Sequence, residues 1–147
     1  GGPSCHEPGG TPCNTIAVSP TWVSVQRSSA TPPAPAGGTL TGGRYVMTSV
    51  VLFTTDGGAG PTGARENEAF ELATNTVQSV VQREVEDGGC EVSREAGTVT
   101  FAGTQLTYAS TCPGGGAGGM SYTATSSTLV LFQDEGGLTR IVTYTRQ

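Results

Sequence analysis

The sequence predicts an all-β protein: an eight-stranded antiparallel up-and-down barrel over residues 39–147, preceded by an extended N-terminal arm over residues 1–38. Three observations predict it. Segments rich in Val, Thr and Tyr alternate apolar with polar residues, the two-residue period of a half-buried strand. The 23 Gly and 9 Pro among 147 residues are gathered between these segments, where turns need them. Together they stay just below the share that marks low-complexity chains. The later connections are short, which makes sequential neighbours antiparallel. At this length the chain is expected to form a single domain with a modest core.

The arm opens on "GGPSCHEPGGTPC", a run of glycine, proline and two cysteines. "NTIAVSPTWVSVQRSS" follows, and its "TWVSVQ" places Trp22, Ser24 and Gln26 on one face and Thr21, Val23 and Val25 on the other. A lone strand leaves its backbone groups without partners, so this one is expected to pair with the barrel or with a neighbouring molecule. "SSATPPAPAGG" (28–38) reads as a polyproline-like linker.

Eight strands are expected after it: 43–54, 67–73, 76–86, 91–101, 104–111, 120–125, 128–133 and 138–146. The turns "AGT" (102–104), "SS" (126–127) and "DEGG" (134–137) join the later ones. Residues 68–86 carry a competing helical reading, because Phe70, Ala73, Val77, Val80, Val81 and Val85 fall near one helical face. The β-branched valines and the Asn75-Thr76 pair favour strands there. Closing eight strands removes exposed edges and leaves an interior wide enough for side chains or one small ligand. A filled interior is expected, since a barrel this small needs its large side chains for stability.

Four segments carry a family resemblance: "GRYVMTSVVLF", "GTVTFAGTQLTYASTCP", "YTATSSTLVLF" and the terminal "VTYTRQ". Together they resemble the lipocalin-like (calycin-type) β-barrel domains of secreted bacterial lipoproteins, over residues 39–147. Lipocalins place a Gly-x-Trp on the first strand against an Arg from the last. Gly43-Arg44-Tyr45 stands in that place, with Tyr45 for Trp, and the resemblance implies Arg146 as its partner, stacking on the ring. Such barrels serve many roles, so the resemblance implies a fold more than a function.

Charge narrows the partners. All seven basic residues are arginine and the net charge is -5. With no basic cluster, nucleic acid and anionic membrane surfaces are not expected as partners. The longest apolar runs, such as Val50-Val51-Leu52-Phe53, span only a few residues, so no transmembrane segment is expected. Four cysteines in a small, loop-rich chain point to an oxidising compartment. The expected location is extracellular or at the cell surface. Gly1 in place of Met suits a mature secreted product, or an outer-membrane lipoprotein if a lipidated Cys precedes it.

Chemistry is sparse. His6 lies beside Cys5, Glu7 and Cys13, but a closed zinc site needs a fourth ligand at recognisable spacing. A Cys5–Cys13 disulfide is expected instead. Cys90 and Cys112 bound two adjacent predicted strands, and the hairpin is expected to bring them together as a second disulfide. No serine elbow or catalytic base stands in the barrel. "CPGGGAGGM" lacks the Lys-Ser/Thr of a phosphate loop. The carboxylates Glu66, Glu68 and Glu71, the group Glu84, Glu86 and Asp87, and Asp134-Glu135 read as solvated surface rather than a metal site. No enzyme activity, cofactor or metal is expected.

Two functions are weighed. The first is a secreted structural subunit, such as a filament or surface subunit, that self-associates through the arm by way of Trp22, Val23 and Val25. The alternative is a monomeric lipocalin-like surface lipoprotein binding a small apolar ligand. Tyr45, Met47, Phe101, Tyr108, Tyr122 and Tyr144 are its candidate lining residues.

Overall fold

The computed structural model describes residues 5–55, 58–85 and 88–147. Among the described residues nine strands make one sheet: β1 (Val23–Ser28), β2 (Gly43–Phe53), β3 (Gly60–Ala73), β4 (Thr76–Glu84), β5 (Cys90–Ala102), β6 (Gln105–Cys112), β7 (Ala117–Ala124), β8 (Thr128–Glu135) and β9 (Leu138–Arg146). From β2 to β9 the strands form an antiparallel meander, and β2 pairs with β9 to close the sheet into a ring. Closure leaves the meander without a free edge to aggregate. The all-β class and the meander are as the sequence predicts.

The strand count is not. The expected ring has eight strands; the observed sheet has nine, because the arm strand is a member of it. β2 and β3 pair only from Gly43↔Leu72 to Val46↔Ala69 and then splay apart. β1 fills the gap, parallel to β2 (Val25↔Val50 to Ser28↔Phe53) and antiparallel to β3 (Val23↔Glu66 to Arg27↔Gly60). This extra partner also lengthens β3 at its start, to Gly60 instead of 67. Residues 60–64 carry no apolar alternation, and main-chain bonding to β1 holds them extended. β7 likewise begins at Ala117, with Gly118 and Gly119 paired to Tyr108 and Thr107.

Residues 68–84 are strand rather than helix, as β3 and β4 around the two-residue turn Thr74-Asn75, and Val85 lies just past the end of β4. Glu86 and Asp87 lie outside the described residues.

The disulfides differ from expectation. Cys5 bridges Cys90 and Cys13 bridges Cys112, in place of Cys5–Cys13 and Cys90–Cys112. Register explains why. Cys112 pairs opposite Ala96, six residues along β5 from Cys90, which separates the two cysteines by about 20 Å at about 3.3 Å per residue. The arm runs across the outer face of β4 and β5 and meets each cysteine separately.

Two cores result. The inner one holds Val23, Val25, Tyr45, Met47, Phe70 and Val142 among others. The smaller, outer one consists of Val46, Ala69, Val80 and Val92, covered by Ile16 and Val18 of the arm. Buried asparagines fasten that cover. Asn14 donates to the carbonyls of Ser79 (3.0 Å) and Glu95 (2.7 Å), and Asn67 to those of Ser19 (2.6 Å) and Thr21 (3.0 Å). Arg94 adds bonds to Ile16 O and to the Glu7 carboxylate.

Candidate ligand cavity

Strand alternation turns every second residue into the ring, so each strand carries an inner row. One end of the ring bears the turns at 74–75, 103–104 and 125–127. From that end β3 reads Leu72, Phe70, Glu68, Glu66. β5 reads Phe101, Val99, Gly97, Glu95, and β8 reads Leu129, Leu131, Gln133. The rows share a gradient: apolar near the turns, polar toward the far end.

The apolar end is packed. Tyr45 is fully buried, stacks on Phe70 with ring centroids 4.9 Å apart, and donates its hydroxyl proton to Thr41 O. Residues 36–41 cross this end. Gly37 exchanges backbone bonds with β7, Tyr122 Oη donates to Gly38 O (3.0 Å), and Leu40 points inward.

Above this plug lies a cavity of about 240 Å³. The expectation of a filled interior does not hold at this level. The rows there present Ser79, Glu68, Glu95 and Gln133 instead of large apolar side chains, and these do not fill the space. Gly97 makes room for a wall: a Cβ at this position would sit 2.5 Å from the Tyr108 ring, so only glycine lets Tyr108 lie against β5.

Some of the cavity's polar groups have defined partners. Tyr144 Oη donates to Glu68 Oε1 (2.8 Å). Burial first of all pushes the Glu68 carboxyl above the ordinary carboxylate range, while the Tyr144 bond works against that rise. Tyr144 is itself pushed well up, by burial and by the Glu68 charge. Arg140 forms a two-pronged ion pair with Glu66, both N–O distances 2.7 Å, at the polar end beyond Glu68. The Tyr108 hydroxyl is buried beside Glu95 and Ser110 without a well-formed hydrogen bond, and burial raises it too.

The residues singled out from sequence divide clearly. Phe101, Tyr108 and Tyr144 line the cavity, whereas Tyr45, Met47 and Tyr122 are buried in the packing around it. Tyr45 and Arg146 are cross-strand partners. The Arg146 guanidinium lies over Gly43, where a Cβ would come within 3.0 Å of its Nε, and it donates to Gly42 O. The aromatic partner of Tyr45 is Phe70. Val23 and Val25 face the inner core of their own chain, and Trp22 lies outside with Arg65 over its ring at 4.9 Å.

Glu66, Glu68, Glu95, Gln133 and Arg140 were missed as interior residues. Glu66 and Glu68, expected at the solvated surface, alternate with Asn67 and Ala69 on β3, and that period carried the missed signal. Among the described residues no three His, Cys, Asp or Glu side chains converge as a metal site, and no helix is long and apolar enough to cross a membrane.

No protein-family model matches the chain, and no curated protein is similar to it in sequence. Among solved structures, a lipocalin-like protein from Bacteroides uniformis is similar over 72% of this chain and 97% of its own, at 11% identity and a TM-score of 0.43. At that score the likeness says nothing about ligand or role.

Proposed function

We propose that this protein is a secreted, non-enzymatic binding protein whose lipocalin-like barrel holds one small, largely apolar molecule. The observation that carries the reading is the 240 Å³ cavity between an apolar plug and a polar far end. An apolar cleft with a few convergent polar groups is the usual form of a small-molecule site. At about 30 Å³ per water the space equals about eight waters, so the ligand is small, of about ten non-hydrogen atoms. The two disulfides fit an oxidising location outside the cell.

Native mass spectrometry of gently purified protein is expected to find a co-purified apolar molecule. Calorimetry with hexanol is expected to show binding that Leu131→Trp, which fills the cavity, abolishes. No bound molecule, and no heat from hexanol or from its amine and carboxylate counterparts in the unsubstituted protein, would end the reading.

Self-assembly through the arm is a second reading, favoured by one observation. β1 enters the gap between β2 and β3 from a separate segment, so an arm fits the same slot on a second copy. Exchanged arms would carry Cys5 and Cys13 to the neighbour's Cys90 and Cys112. A non-reducing denaturing gel then shows covalent multimers that reducing agent dissolves, and a monomer band alone ends this reading.

A further inference from the structure

If the cavity is a ligand site, its walls also state which charge the ligand carries. Two carboxyl side chains, Glu68 and Glu95, face it from β3 and β5, and among the described residues no cationic side chain lines it. The arginines nearest to it lie outside the lining. Arg140 is held by both oxygens of Glu66. Arg83, on the same row of β4 as Val77 and Ser79, is solvent-exposed at the polar end and only its charge reaches Glu68, and Arg94 of β5 faces outward to Glu7 and the arm.

The remaining polar groups of the lining are Ser79, Gln133 and the hydroxyls of Tyr108 and Tyr144. Aromatic walls come with them: Phe70, Phe101, Tyr108 and Tyr144 surround the space. Carboxylates beside aromatic faces are the chemistry that recognises an organic ammonium, since the ring faces are electron-rich and the carboxylates accept from N–H donors. An anionic head would meet two acidic groups in the lining, with the nearest guanidinium, Arg140, already paired to Glu66, and a medium less polar than water magnifies the repulsion.

We propose that the cavity selects a small primary amine, with its apolar body on the plug formed by Phe70, Leu72 and Leu129 and its ammonium between Glu68 and Glu95. The apolar-to-polar gradient along β3, β5 and β8 fixes that orientation. The Tyr108 hydroxyl, beside Glu95 and without a well-formed bond of its own, lies where the ammonium would sit. Burial that disfavours a charged Glu68 is offset when a cation arrives, so a bound ammonium favours the charged form of that carboxyl. This inference rests on the binding reading above and refines it.

The test is calorimetry at pH 7 with three ligands of one shape: hexylamine, hexanol and hexanoate. Hexylamine is expected to bind at least about tenfold more tightly than hexanol, and hexanoate more weakly than either. In Glu95→Gln the amine-to-alcohol affinity ratio is expected to fall toward one. A general loss of packing would weaken both ligands and leave that ratio in place. Equal affinities, or hexanoate tightest, would overturn the amine assignment and leave the binding reading standing. No heat from any of the three at millimolar concentration would overturn both.

Discussion

Single residues already carry measurable consequences. Thr74 holds φ at +53°, a left-handed conformation that a β-branched side chain resists and Asn tolerates. Thr74→Asn is therefore expected to raise stability by about 1 kcal/mol, read from the midpoint of urea unfolding. Glu68 makes stability depend on pH. The folded chain retains the Glu68 proton to higher pH than the unfolded chain does. Its contribution is thus full below the unfolded-state pKa and is lost as pH rises through the folded one. Glu68→Gln keeps an acceptor for the Tyr144 hydroxyl and has no charge to bury. Its melting temperature is expected to gain on the unsubstituted protein between pH 4 and pH 7, and a gap that stays constant over this range would refute the account. Arg140 is a different case. Arg140→Met strands the Glu66 carboxylate and is expected to cost about 3 kcal/mol, part of which Glu66→Leu in the same molecule should restore.

At the scale of elements, the arm is joined to the sheet by three separate kinds of contact. β1 contributes main-chain hydrogen bonds and two valines to the inner core. Ile16 and Val18 cover the outer core, and Asn14 and Asn67 bind the backbone between. The disulfides close long stretches, their partners lying 85 and 99 positions apart in sequence. Loops of that length give each bridge about 4–5 kcal/mol in the loop-entropy model and about 3 kcal/mol in typical measurement. Replacing Cys13 and Cys112 together by Ser is expected to lower stability by about 3 kcal/mol, measured by denaturant unfolding without reductant. Hydrogen exchange should then quicken first across residues 13–22, if the arm opens before the meander does. Exchange spread evenly over all nine strands would mean that arm and meander unfold as one unit. β3 shows how an element can be half legible. Residues 67–73 announce themselves by alternation, while 60–64 become strand only because β1 is beside them.

On the scale of the whole molecule, the meander, its turns and the alternation of inner with outer residues follow from local pattern alone. Turn chemistry sets each hairpin, and a two-residue period sets each face, so both can be read before any contact is known. The family resemblance, rather than local pattern, implied the Gly43, Tyr45 and Arg146 neighbourhood; β2–β9 pairing sets Tyr45 opposite Arg146, while the ring stacked on Tyr45 is that of Phe70. The place of β1, the crossed disulfides and the cavity were not legible. Each depends on where distant strands meet. Whether TWVSVQ lies beside the splayed strands β2 and β3 is a matter of how the ring closes. Which cysteines meet depends on the β5–β6 register and on the path of the arm across it. Glu66 and Glu68 sit one after the other on an inner row, and alternation alone would have turned them inward. Their retention there depends on the Arg140 and Tyr144 partners that closure brings from β9. Local preference thus chose the strands, and long-range pairing made of them a cavity with an acidic end.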